Sequence, residues 1–234
     1  MKEIVDFLRD LSVNNNREWF AANKPRYEAC RHRFDAFVAE LINEVGKFHP
    51  AIASLTPAMC TWRIYRDTRF SNDKTPYKTH MGAFLAPWGK KSGYSGYYIQ
   101  IGPRDEGYPG GCMMATGNYY CEGAVLRILR EDIDTDGGRE FLDTLAHAEG
   151  GGFSLDMSDS LKRVPRGYDA DHPLARYLKL KSFCLVNNPG VDFMLGAGLA
   201  KRAASAFMPT KPFLDFINRA IDYADGGDGE EAGA

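Results

Sequence analysis

The residues best suited to chemistry lie together over positions 62–80, which read Trp62-Arg63-Ile64-Tyr65-Arg66-Asp67-Thr68-Arg69-Phe70-Ser71-Asn72-Asp73-Lys74-Thr75-Pro76-Tyr77-Lys78-Thr79-His80. Five Lys or Arg stand against two Asp, a local charge of +3, with aromatic and hydroxyl side chains interleaved. Guanidinium forks and ammonium groups beside Ser and Thr hydroxyls supply the charge-assisted hydrogen bonds that hold a phosphate or carboxylate. Arg63, Arg66, Arg69, Lys74, Tyr77 and Lys78 are therefore candidate contacts for an anionic ligand. If strand continues through 63–69, Arg63, Tyr65, Asp67 and Arg69 share one face and Arg66 joins Trp62 and Ile64 on the other. The plainer alternative is a solvated edge carrying surface ion pairs, each worth ~0–1 kcal/mol.

A second basic and aromatic group, Lys162, Arg163, Arg166 and Tyr168, flanks Pro165 and Gly167, which favour a turn. Lys162 and Arg166 join the candidate ligand contacts. Two walls of one cleft and two separate exposed loops fit the sequence equally well.

Asp67, Asp73, His80 and His172 are the candidate general acids and bases. A carboxylate among several cations stays ionised and orients an Arg rather than donating a proton. His80 titrates near neutrality, although a lone His leading into an apolar run is more often structural. Asp171, before His172-Pro173, reads more simply as a helix cap than as a metal ligand. There is no phosphate-binding loop, H-E-x-x-H or EF-hand pattern, and Lys201 stands where a dinucleotide fingerprint starting at Gly196 needs Gly. No catalytic residue, metal or cofactor is assigned, and enzymatic activity stays open.

Several elements must position these groups. Tyr27, Cys30, Phe34, Phe37, Val38, Leu41, Ile42, Val45 and Phe48 recur at the 3-and-4 spacing of one buried helical stripe, with Pro25 suited to the first turn and Gly46 to the end. Ahead of it, Asn15 and Glu18 have capping-box spacing and predict a short helix. After Pro50 the period changes. Residues 61–65, 81–86, 97–101 and 112–115 are short aromatic or β-branched runs split by Gly and Pro, which predicts an antiparallel meander. Helical patterns return around 125–145, 173–180, 195–207 and 213–223, with a strand at 183–186 between them. The prediction is one α+β domain over residues 1–224, a mainly antiparallel sheet covered by N-terminal and C-terminal helices. Residues 225–234, all Gly, Ala and acid, are expected to be disordered.

Across 234 residues, 29 Lys and Arg nearly balance 31 Asp and Glu for a net charge of −2, so anion binding must come from a local patch. No apolar run reaches the ~18 residues of a membrane span, and the first residues lack a signal-peptide pattern. The five cysteines are scattered without a C-x-x-C, which fits buried thiols in a reducing, cytoplasmic setting.

Asn15-Asn16-Arg17-Glu18-Trp19-Phe20, Asn23-Lys24, Tyr27 and the 63–71 and 73–79 stretches resemble the signatures of the family called domain of unknown function 2461. Gly96-Tyr97-Tyr98, residues 161–169 and Asp171-His172-Pro173 are similar to its later motifs. Asn72 stands where the family pattern carries Lys, and Arg166 replaces a Lys with its charge kept. The resemblance runs from about Phe7 to about Tyr223 and implies one α+β domain; it supplies no activity and no catalytic residues.

The sequence therefore predicts a basic cleft around 63–78 for a phosphorylated or other anionic ligand, with a nucleic-acid backbone among the candidates and hydrolytic or transfer chemistry open. The alternative is a non-catalytic interaction module in which the same charges lock the protein's own loops.

Overall fold

The structure, a computed structural model, describes residues 1–105 and 110–227. It is an α+β fold whose five strands hydrogen-bond in the order β1-β2-β3-β5-β4. In chain order the helices are α1 (Lys2–Val13), α2 (Arg17–Ala22), α3 (Lys24–Gly46), α4 (Pro57–Cys60), α5 (Gly123–Asp134), α6 (Gly137–Gly150), α7 (Ala175–Leu178), α8 (Gly190–Leu195), α9 (Leu199–Phe207) and α10 (Lys211–Gly227). The strands are β1 (Met81–Leu85), β2 (Gly96–Ile101), β3 (Met113–Asn118), β4 (Ser154–Leu155) and β5 (Phe183–Asn187). No helix among the described residues is long and apolar enough to cross a membrane.

The chain clusters into two compact units. The first comprises residues 1–92, 97–114 and 187–205. Its core forms because α1 offers Ile4, Val5, Phe7, Leu8 and Leu11 on one face, and α3 buries Cys30, Phe34, Phe37, Val38, Leu41, Ile42 and Val45. β1 and β2 pair antiparallel with Met81 opposite Ile101, Ala83 opposite Ile99 and Leu85 opposite Tyr97. All six are buried, so the period-2 pattern turns one face of the hairpin inward, and α3 and α4 pack against β1. Each fully buried aromatic or branched side chain contributes roughly 1.5–3 kcal/mol. Gly46 ends α3 where its backbone meets Ala53; an added Cβ would lie 3.0 Å from the Ala53 Cβ.

The second unit comprises, among the described residues, 93–96, 115–186 and 206–227. Phe141 of α6 centres its aromatic core, with Tyr177, Phe183, Phe213 and Phe216 at ring-centroid distances of 5.1–6.2 Å. Arg130 fastens α7 by donating to the carbonyls of Leu178 (2.9 Å) and Leu180 (2.8 Å).

Several local expectations change. Residues 61–65 carry only single bridges and no strand, and Trp62 and Ile64 line a cavity. The helix expected over 195–207 begins only at Leu199, after Gly196 and Gly198, the latter at φ +64°, and the unexpected α8 ends at Leu195 ahead of it. The stretch expected to be helical from Pro173 is reduced to α7, and the Leu174 amide donates to His172 Nδ1 at 3.1 Å, with Asp171 taking no part in that bond. The disorder expected over 225–234 lies, from residue 228 on, outside the described residues; α10 runs to Gly227.

Candidate functional site

The first unit carries a half-open cavity of about 740 Å3, lined from α3, residues 62–82, the β1–β2 hairpin, Asn15 and Arg104. Its walls exist because residues 61–80 fold back as a pinned loop. Thr61 bridges Ala83 on edge strand β1, and Tyr65 bridges Tyr77. Backbone bonds from the Arg66 amide to the Pro76 carbonyl (2.9 Å) and from the Lys78 amide to the Ile64 carbonyl (2.8 Å) close the loop at its base.

Asn15 anchors this base from outside. Its Nδ2 donates to the Tyr77 carbonyl at 2.9 Å and its Oδ1 accepts from the Tyr77 amide at 3.1 Å. The side-chain amide thus stands in for a neighbouring strand. Beside it, Phe20 stacks on Tyr77 at 4.0 Å and 14°. The helix cap falls to the next residue: Asn16 Oδ1 accepts from the Trp19 amide at 2.9 Å. Capping-box spacing therefore points to Asn15 where Asn16 does the capping, which frees Asn15 to hold the loop.

Within the loop, Asp73 forms an Asx turn, its Oδ1 accepting from the Thr75 amide (2.9 Å) and hydroxyl (2.8 Å). Arg66 donates to the Asp73 carboxylate and the Thr75 hydroxyl. These bonds hold the Asp73 carboxyl at about 2, the Thr75 amide contributing most and Arg66 next. Arg69 donates Nε (3.0 Å) and Nη2 (2.7 Å) to Asp67, which is likewise held at about 2. Lys74 Nζ donates to the Thr68 carbonyl at 2.9 Å. Arg69 and Lys74 thus spend their charge on the loop itself and are absent from the cavity wall.

Arg63, Arg66, Tyr77 and Lys78 do line the cavity. Arg63 and Lys78 make no side-chain hydrogen bond or ion pair among the described residues. Burial first and Arg63 second push the Lys78 ammonium below its usual range. His80 also lines the wall, its imidazole pushed down to about 4 by burial, then by Lys78 and Arg66. His80 therefore stands neutral on a wall where Arg31, Arg63, Arg66 and Lys78 outnumber the carboxylates of Asp67 and Asp73. Lys162 and Arg166 sit exposed in the second unit, and neither makes a side-chain ion pair among the described residues.

Sequence reasoning passed over Arg31, Tyr27, Trp62 and Tyr98 as wall residues. Arg31 donates to the Asp35 carboxylate (2.9 Å), the Trp62 carbonyl (2.8 Å) and the Thr61 hydroxyl, so it carries residues 61–62 on α3. The available signal was its spacing: Arg31 lies four residues after Tyr27 and three before Phe34, hence on their helix face. Among the described residues, no group of three or more His, Cys, Asp or Glu is arranged to hold a metal.

Fold and site together define an α+β protein with a basic cavity beside an edge strand. The chain belongs to the conserved hypothetical protein family DUF2461, whose family model matches residues 3–216. Comparisons with curated proteins and with solved structures give no match.

Proposed function

We propose that this protein binds a small phosphate- or carboxylate-bearing ligand in the cavity bounded by residues 63–78. The observation that carries the reading is the pair Arg63 and Lys78, both on the cavity wall and both without a side-chain hydrogen bond or close ion pair among the described residues, the nearby Asp67 being bonded to Arg69. A half-buried ammonium beside a guanidinium is unfavourable alone, and a bound anion compensates both. Arg66, already oriented by Asp73 and Thr75, adds a fixed donor to the same wall. The net charge of −2 favours a small ligand over a long polyanion such as nucleic acid. Lys162 and Arg166 form a separate candidate anion contact in the second unit. Five buried, unpaired cysteines support a reducing, cytoplasmic setting.

The competing reading, an interaction module whose charges are structural, draws on Arg69 and Lys74, both engaged within the loop. The two readings part at Arg63 and Lys78. Calorimetric titration with inorganic phosphate separates them. Arg63→Gln and Lys78→Gln should each weaken binding about tenfold or more, since a hydrogen bond to a charged group contributes about 1.5–3 kcal/mol. Melting temperatures should hold, because neither variant breaks a side-chain hydrogen bond or close ion pair. Undiminished affinity in both variants, or no phosphate binding by the wild type, overturns the proposal.

A further inference from the structure

The cationic wall accounts for only part of the cavity. At about 740 Å3 it falls in the range that encloses a drug-sized molecule and far exceeds what an inorganic anion needs. Much of the remaining wall is aromatic. Trp62, adjacent in sequence to Arg63, lines the cavity yet keeps 41% of its surface exposed. Tyr98 meets it edge to face, with centroids 6.2 Å apart at 62°, so the indole is oriented and still open. Arg31 holds the Trp62 carbonyl at 2.8 Å, which fixes the backbone from which both the indole and the Arg63 guanidinium extend. Opposite, Tyr98 lies against a glycine: a Cβ on Gly82 would come within 2.6 Å of the Tyr98 hydroxyl. The strand surface under that ring is thus left flat.

From these features, and resting on the anion-binding reading above, we infer that the ligand is a ring-bearing anion: an acidic group held by Arg63, Lys78 and Arg66, joined to a planar aromatic or heteroaromatic ring that packs on Trp62. Nucleoside monophosphates and aryl phosphates share this chemistry. Exposed indole surface beside cations serves such a ligand twice, through stacking and through the charge-assisted bonds that set its position.

Calorimetry with phenyl phosphate, AMP, methyl phosphate and inorganic phosphate, at matched ionic strength, tests the inference. Phenyl phosphate or AMP should bind about five- to a hundredfold tighter than methyl phosphate, the span that one base–aromatic stack gives on removal. Tighter AMP indicates a ring set at the distance of a sugar from the phosphate, and tighter phenyl phosphate a ring next to it. Trp62→Ala should bring both down to the methyl phosphate level while methyl phosphate affinity holds, which also shows that the variant is folded. Trp62→Phe should retain most of the preference. Equal binding of all four compounds by the wild type overturns the ring inference and leaves the anion site standing. Failure of every compound to bind removes the anion site and the inference with it. A preference that survives in Trp62→Ala overturns the role of the indole.

Discussion

At the scale of single residues, the site is defined by which cations the protein neutralises itself. Asp67 bonds Arg69 and Asp73 bonds Arg66, both carboxyls being held at about 2, whereas Arg63 and Lys78 make no side-chain hydrogen bond or close ion pair among the described residues. His80 records its own burial first and the neighbouring Lys78 and Arg66 second. Its folded pKa of about 4 lies below the ordinary 6.5, so between those values the unfolded chain binds more protons than the folded one. The His80 contribution to stability should therefore fall as pH drops from about 6.5 to about 4, by at most about 3 kcal/mol, and change no further below that. Urea unfolding of wild type and His80→Gln at pH 7, 5.5 and 4 checks this: the variant should lose less stability over the interval. Identical pH profiles would mean that His80 is not held neutral by its surroundings. A bound anion offsets Lys78 and Arg66, so saturating phosphate should raise the His80 pKa.

At the scale of elements, the loop over 66–76 is held by its own bonds and, at its base, by Asn15 in the turn before α2 and Phe20 within α2. Asn15→Ala removes two hydrogen bonds to the Tyr77 backbone and leaves that carbonyl and amide without these partners. The expected cost is about 1–3 kcal/mol in chemical denaturation, with phosphate affinity falling as well. An Asn15→Ala protein that loses stability but binds phosphate as before would separate the anchor from the site. What could be read from the sequence follows the same physics. β1 and α3 were legible because one face of each is buried and the apolar period shows it, and β2 because its short aromatic and branched run is bounded by Gly. Residues 61–65 carry the same residue types for another purpose, and composition does not tell a cavity wall from a strand. The cations of 63–78 were legible as a group, but their division into loop-holding and unbonded members was not. That division depends on partners such as the Asx turn at Asp73, which appear only once the chain is folded. Arg31 was hidden because it stands 31 residues from Trp62, the residue whose carbonyl it holds.

At the scale of the whole molecule, reactive chemistry is kept away from sulfur. All five cysteines are buried and unpaired, and burial pushes Cys60 and Cys121 up to about 11 and Cys184 up to about 12. Thiolate is the reactive form, so the native protein at pH 7 should react with a thiol-directed chromogenic disulfide over hours, and all five groups should react at once in denaturant. A fast-reacting native thiol would contradict this packing. The remaining chemical capacity is the basic cavity in a chain of net charge −2, a local field suited to a small anion. The central claim is the position of that anion, and a crystal structure of the protein soaked in tungstate, located by its anomalous signal, tests it most directly. The account expects tungstate oxygens within about 3 Å of the Arg63 guanidinium and Lys78 Nζ. An empty cavity at saturating tungstate, or tungstate bound only at the exposed Arg69, would contradict it.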